Sequence, residues 1–257
     1  MNTRTSHKTE AIALRFLDYG ESDRIVTFYT RDYGKIRGIA KGARRSRKRF
    51  ANALEFFCCS QIVFSRKGPD TLALIEESRV HQYFENIRTD LEKTLMSSYL
   101  IELTDQFTLE DKRNAEMFQV LYDFLEQIDI GACNETLLRF FEIRLLKHAG
   151  YQPVLDRCVA CQVPVNGKDV YHFQARAGGI RCGACRQTGE ASLPVSPGTA
   201  KTLLMGCDID PAKINRLLMS EQSARESRQM LMHFIRHLLG KELKSHQVLN
   251  QIRKIGI

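Results

Sequence analysis

Three observations predict an α+β fold with the β part first. Apolar residues alternate with a period of two as far as about residue 80, and with a helical period afterwards. Five short strand-like runs crowd into those first eighty residues. The helical part is interrupted by a stretch rich in glycine and proline that holds two Cys-x2-Cys pairs. The expected division is a β module over residues 1–82 and a helical domain over 83–257 with an insertion at about 151–197.

In chain order, Thr9 to Leu17 places Ile12, Leu14 and Phe16 on one face, as a strand does. Gly20 to Asp23 has turn chemistry, and Arg24 to Thr30 resumes with β-branched and aromatic residues. Tyr33 and Gly34 turn the chain into a third strand, where Lys35, Arg37, Ile39 and Lys41 share one face and Ile36, Gly38 and Ala40 the other. Glu55 to Ser65 reads as a fourth strand, Gly68, Pro69 and Asp70 as a hairpin turn, and Thr71 to Ile75 as a fifth strand. Five such strands suit a small closed barrel of the OB-fold type; an SH3-like barrel fits nearly as well.

The helical period begins with Thr89 and Glu92 in a capping-box pattern, ahead of a stripe of Leu91, Leu95, Tyr99, Leu100, Leu103 and Phe107. A second helix carries Met117, Phe118, Leu121, Phe124, Leu125 and Ile128, and a third runs from about Asn134 to Gly150. After the cysteine segment, Asp210 and Pro211 open a helix, and Ser223 and Glu226 box another that Gly240 closes. The tail from Lys241 is basic and reads as frayed.

The chain has 257 residues, 43% hydrophobic and 26% charged, which are the proportions of an ordinary globular protein. Its net charge of +8 is unevenly placed. Residues 1–80 hold 16 Lys or Arg against 9 Asp or Glu, and the rest hold 22 against 21. The excess concentrates between Gly34 and Phe50, where Lys35, Arg37, Lys41, Arg44, Arg45, Arg47, Lys48 and Arg49 stand without one acid. So much like charge on a strand and the loop leaving it calls for an anionic partner, and a phosphate-tracking surface is the functional reading. A solvated loop that serves solubility is the alternative. Tyr33 and Phe50, flanking the stretch, are the candidates to stack on bases among Phe16, Tyr19, Phe28, Tyr29, Tyr33 and Phe50. No apolar run is long enough to span a membrane and the N-terminus lacks an apolar signal region, which points to the cytosol.

Cys158, Cys161, Cys182 and Cys185 form two knuckles separated by twenty residues. Each pair can supply two corners of a tetrahedron, and four thiolates suit a structural Zn²⁺ that leaves no position for an activated water. An iron-sulfur centre has compatible spacing. The segment has little apolar material, so a metal would stand in for a core. Cys58, Cys59, Cys133 and Cys207 read as ordinary thiols. The phosphate-loop, dinucleotide, zinc-protease and nucleophile-elbow signatures are all missing, so binding is favoured over catalysis. A zinc-containing nucleic-acid enzyme and an RNA-binding structural protein stay as alternatives.

Several separated stretches are similar to one family. Lys41-Gly42-Ala43-Arg44-Arg45 with Arg49-Phe50, Leu54 and Phe57 resembles the K-G-A-R-…-L-x-P-F segment of the bacterial RecO recombination mediators, with Phe56 in place of the proline. Arg139-Phe140-Phe141-Glu142 with Leu145, Leu146, Gly150 and Tyr151 resembles that family's R-x-F-E-x-x-L-L-x-x-x-G-Y helix, and the four cysteines and Gly240 to Ser245 are also similar. The resemblance implies an OB-fold, a helical domain with a zinc site, and binding of single- and double-stranded DNA. It also implies strand annealing and recombinase loading, with RecR and the C-terminal tail of single-stranded-DNA-binding protein as partners. Arg139 would receive the tail's carboxylate, with Phe140 or Phe141 packing beside it.

Overall fold

The computed structural model describes residues 5–46, 48–50, 53–68, 71–167, 169–186 and 191–255. The chain divides after Ile130 into two compact units, Met1–Ile130 and Gly131–Ile257.

The first unit contains β1 (Thr5–Tyr19), β2 (Asp23–Thr30), β3 (Gly34–Ala40), β4 (Cys58–Arg66) and β5 (Ala73–Tyr83), followed by α1 (Glu85–Thr89), α2 (Leu91–Phe107) and α3 (Ala115–Ile130). The five strands run in the order β1-β2-β3-β5-β4, and β4 also pairs with β1. All pairs are antiparallel except β3 with β5. The predicted alternation in β3 holds: Ile36, Gly38 and Ala40 are buried, whereas Lys35, Arg37 and Ile39 are not. Ile36 and Ala40 join Val26, Phe28, Ile62, Phe64 and Ile75 in the core. Gly38 lets Ile75 approach, since a Cβ there would lie 2.4 Å from its Cδ1.

The strands differ from expectation at their ends. β4 starts at Cys58 rather than Glu55, because Phe57 has a left-handed backbone (φ 60°) that interrupts the extended run. β5 continues past Ile75 to Tyr83 through polar residues that periodicity overlooks; Ser78 is buried there and its hydroxyl donates to the Ala53 carbonyl at 3.1 Å. Pro69 and Asp70 of the expected hairpin turn lie outside the described residues. Asp90, not Thr89, caps α2, its carboxylate accepting the Lys93 N–H at 2.9 Å.

The second unit holds α4 (Glu135–His148), a small sheet of β6 (Tyr171–Gln174), β7 (Gly179–Cys182) and β8 (Leu193–Val195), then α5 (Pro197–Asp208), α6 (Pro211–Ile214), α7 (Glu221–Leu239) and α8 (Lys244–Ile255). Asn134 caps α4, at the expected start of the third helix, Asp210 caps α6 as expected, and Gly240 ends α7 with φ 67°. Ser220, rather than Ser223, caps α7. Glu226 is thereby released to accept the Ser196 N–H at 2.8 Å and the Thr199 hydroxyl at 2.6 Å, at the start of α5. The tail read as frayed is helix α8, with Leu243 and Leu249 buried. The cysteine segment also has more core than its composition suggested. Leu155, Tyr171, Phe173, Ile180 and Val195 are buried, and Phe173 meets Phe234 of α7 edge-on at 5.3 Å.

Gly34 is the tightest backbone position at the start of β3. It has φ 69°, and an added Cβ would lie 2.2 Å from the Lys112 carbonyl oxygen. Both the conformation and the backbone clash penalise a side chain, so Gly34→Ala should lower unfolding stability by about 2 kcal/mol or more. Urea titration of the purified variant against the parent checks this.

Candidate functional site

The basic stretch forms a tethered surface. The Gly42 N–H donates to the Asp23 carboxylate at 2.8 Å and the Arg44 N–H to the Ser22 carbonyl at 3.0 Å, fixing the loop after β3 to the β1–β2 turn. At its far end the Ser78 N–H donates to the Arg49 carbonyl at 2.9 Å. Within the loop, Arg49 reaches the Lys41 carbonyl at 3.0 Å and lies over the Phe50 ring at 5.1 Å. Backbone groups, the Asp23 carboxylate and the Arg49 guanidinium therefore hold the loop, while Lys41, Arg44, Arg45 and Lys48 are exposed on it.

The eight cations are not equivalent. Arg37, Lys41, Arg44, Arg45, Lys48 and Arg49 are exposed. Arg44 and Arg45 meet Asp18 and Glu21 at 3.8 and 3.4 Å, weak pairs on an open surface. Lys35 differs: its side chain is only 13% exposed, and its Nζ donates to the Asp105 carbonyl at 2.8 Å and lies 3.2 Å from the Asp105 carboxylate. Its charge is spent inside the unit, so the expectation of a phosphate contact there is corrected by the acid on α2. Arg47 lies outside the described residues.

The aromatic residues divide otherwise than sequence suggested. Phe50 is 3% exposed, filling the sheet's core together with Phe28, and Tyr33 is partly buried with its ring edge-on to Phe64 at 5.3 Å. Neither offers an open face. The exposed rings beside the loop are Phe16 (37%) and Tyr19 (56%), at the end of β1. Nothing in the periodicity distinguishes them from core aromatics, because β1 carries a bulge between Ala13 and Arg15.

In the second unit the four cysteines of the two knuckles converge, with their sulfurs all within 4.8 Å of one another. Cys161 and Cys182 Sγ are 3.8 Å apart, and the Cys182 N–H points at Cys158 Sγ at 3.4 Å. Burial pushes the Cys158 thiol up, but N–H groups of Cys161, Cys182 and Ala160 outweigh it and bring the pKa down to about 6. The group can hold a metal ion. His172, between the knuckles in sequence, is not part of it. Cys58, Cys59 and Cys207 are buried; burial pushes Cys59 up to about 12 and Cys207 to about 11, as for inert thiols.

With this geometry, two family models match the chain: Recombination protein O N terminal over residues 1–84, and Recombination protein O C terminal over residues 88–247. The chain belongs to the RecO family. It is 51% identical over its whole length to the DNA repair protein RecO of Syntrophus aciditrophicus (strain SB), itself covered in full. It is 37% identical to the DNA repair protein RecO of Desulfatibacillum aliphaticivorans, over 96% of this chain and 97% of that one. Against the DNA repair protein RecO of Anaeromyxobacter sp. (strain K) the identity is 36%, over 95% and 96% of the two chains.

The RecO-like helix motif falls on α4, and its side chains are inside. Arg139 is 1% exposed, and Phe140 and Phe141 are completely buried. Arg139 pairs with Glu142 at 2.9 Å and approaches Glu135 at 3.6 Å. The Phe140 ring covers Gly206 so closely that a Cβ there would come within 2.4 Å. These three residues, expected at a partner surface, are core in this structure because α4 buries every residue from Thr136 to Leu146.

Arg139 also acts on α8. Burial, together with the Arg139 and Arg228 guanidiniums, brings the His246 imidazole down to about 4. The folded chain binds this proton less readily than the unfolded one, whose histidine titrates near 6.5. The contribution is therefore complete above about pH 6.5 and is lost as the pH falls toward 4. Urea midpoints should decline across that window, and His246→Gln should decline less steeply.

Proposed function

We propose that this chain acts in DNA repair as a nonenzymatic mediator, binding single- and double-stranded DNA without sequence preference and annealing complementary strands. The observation that carries the reading is the exposed basic surface formed by Arg37 on β3 and Lys41, Arg44, Arg45, Lys48 and Arg49 on the tethered loop after it, in the N-terminal unit of a RecO-family chain. The strand order, with β4 returning to β1 and only β3–β5 parallel, supports an OB-type barrel as its support. Phosphate contacts set position and carry no base code, so sequence-independent binding follows. A surface that screens repulsion between two strands and leaves base edges free would favour annealing. Recombinase loading, with RecR and the C-terminal tail of single-stranded-DNA-binding protein as partners, completes the proposed role, in the bacterial cytoplasm at the nucleoid. A tail carboxylate could reach Arg139 only if Glu142 and the side chains covering it moved.

For the cysteine group we propose a structural Zn²⁺. A tetrahedron of thiolates with bonds of about 2.3 Å has edges near 3.8 Å, and the Cys161–Cys182 separation of 3.8 Å matches it. Cys158, Cys161, Cys182 and Cys185 would hold the ion, which when bound would crosslink the turn after Leu155 to the end of β7. Metal analysis should find about one zinc per chain. Cys158→Ser with Cys182→Ser should lose it and unfold the second unit at lower temperature, and a chelator should reproduce the shift in the parent only.

The DNA reading is tested by fluorescence anisotropy of labelled single strands across a salt series. With about four phosphates neutralised, the log–log slope should lie near −3 to −4. Changing Arg37, Arg44, Arg45 and Lys48 together to Ala should reduce both affinity and slope, while Lys35→Met should lower stability and leave the slope unchanged. Equal binding by the four-site variant and the parent would remove the loop from the DNA surface.

A further inference from the structure

β1 pairs with β4 only as far as Ile12, opposite Cys59; from Ala13 onward its recorded partner is β2 alone. The end of β1 is thus an edge strand beside β2, which pairs with β3 on its other side, and all five residues from Arg15 to Tyr19 are exposed. Phe16 stands opposite Val26, with Asp18 and Arg24 on the same side of the sheet. The Arg24 guanidinium lies 4.7 Å from the centroid of the Phe16 ring, held by Asp18 at 2.9 Å. Phe56 flanks the same ring, centroid to centroid 4.5 Å. Tyr19 follows at the tip, and the basic loop is hydrogen-bonded to the turn immediately after it.

We propose that Phe16 and Tyr19 form a base-stacking subsite for a single strand whose phosphates lie on the adjoining basic loop. The inference rests on the DNA reading above and deepens it. Exposed rings have faces that every unpaired base can cover, and stacking of this kind is tolerant of sequence. A duplex hides its base faces and offers only phosphates and groove edges, so the rings should act on single strands alone. Arg24 lies over Phe16, so a base reaching that ring would displace the guanidinium or stack on its plane, whereas Tyr19, 56% exposed, is the more open ring. The loop is tied to the β1–β2 turn by the Arg44 N–H on the Ser22 carbonyl and to the start of β2 by the Gly42 N–H on the Asp23 carboxylate, which keeps rings and cations side by side.

The test uses the full chain, with Phe16→Leu and Tyr19→Leu singly and together, against an oligothymidine, an abasic oligomer of equal length and a DNA duplex. Leucine keeps apolar bulk at position 16, and thermal unfolding confirms that each variant folds. Each substitution should weaken oligothymidine binding about tenfold. Abasic and duplex binding, and the salt slope, should stay at parental values. Equal losses on all three probes would overturn the proposal, because the rings would then act by packing. No loss on any probe, while the loop variant still binds weakly, would also overturn it and leave the phosphate reading standing. If the loop variant too binds as the parent does, the DNA reading itself fails. An independent readout exploits the lack of tryptophan in the chain: Tyr19→Trp introduces the sole indole. Oligothymidine should quench its fluorescence and the abasic oligomer should not; equal response to both would overturn stacking at that position.

Discussion

The carboxylate of Asp105 is the contact on which the first unit turns. It is 5% exposed, on α2, and it receives Lys35 from β3 and Arg15 from β1. Removing Asp105 would leave Lys35, only 13% exposed, without its counter-charge, a loss that in buried pairs costs about 3–5 kcal/mol, while Arg15, 62% exposed, would turn to water. Two strands and a helix are therefore held in one arrangement. Tyr29 adds a second tie, its hydroxyl donating to the Asn114 carbonyl at 3.0 Å just before α3. These ties place α1 to α3 in the same compact unit as the sheet, so the unit ends at Ile130, whereas the sheet itself ends at Tyr83.

The alternation of β3 could be read from residue types alone, because one covered face and one open face leave a period of two in the sequence. The spacing of the four cysteines was equally legible, since metal geometry constrains it locally. What escaped depended on partners distant in sequence. Lys35 looks like Arg37 until Asp105, seventy residues away, is brought to it. Phe50 and Phe16 are both aromatics beside cations, and only the end of β4 pairing at Ile12 leaves the second one open. Arg139 reads as a surface residue of a charged helix, yet Glu142 pairs with it one turn on and neighbouring elements enclose both. The later part of β5 carries Glu76, Glu77 and Arg79, and its extended state comes from its ladder with β4 rather than from propensity.

Burial sorts the cations by what they can do. A buried pair such as Lys35–Asp105 is costly to break and therefore positions the chain, but it cannot trade its partner for a phosphate. Exposed pairs such as Arg45–Glu21 are worth about 0–1 kcal/mol and can be exchanged at little cost. One basic stretch thus supplies an anchor at its start and an exposed cationic surface farther along.

This division bears on affinity as well as on location. A loop that had to order on binding would lose conformational freedom, and that loss would be subtracted from every phosphate contact. Here the ordering is already present without DNA: Asp23 holds the Gly42 N–H, Ser22 holds that of Arg44, and the Arg49 carbonyl accepts from Ser78. These bonds use the backbone and leave the guanidinium and ammonium tips of Arg37, Lys41, Arg44, Arg45 and Lys48 exposed. The acids that meet Arg44 and Arg45, Asp18 at the end of β1 and Glu21 on the turn after it, take no part in the backbone tethers, so releasing those arginines leaves the tethers in place. On the proposed DNA-binding reading, phosphates would then exchange side chain by side chain along a fixed frame, as holding one strand while admitting its complement would require.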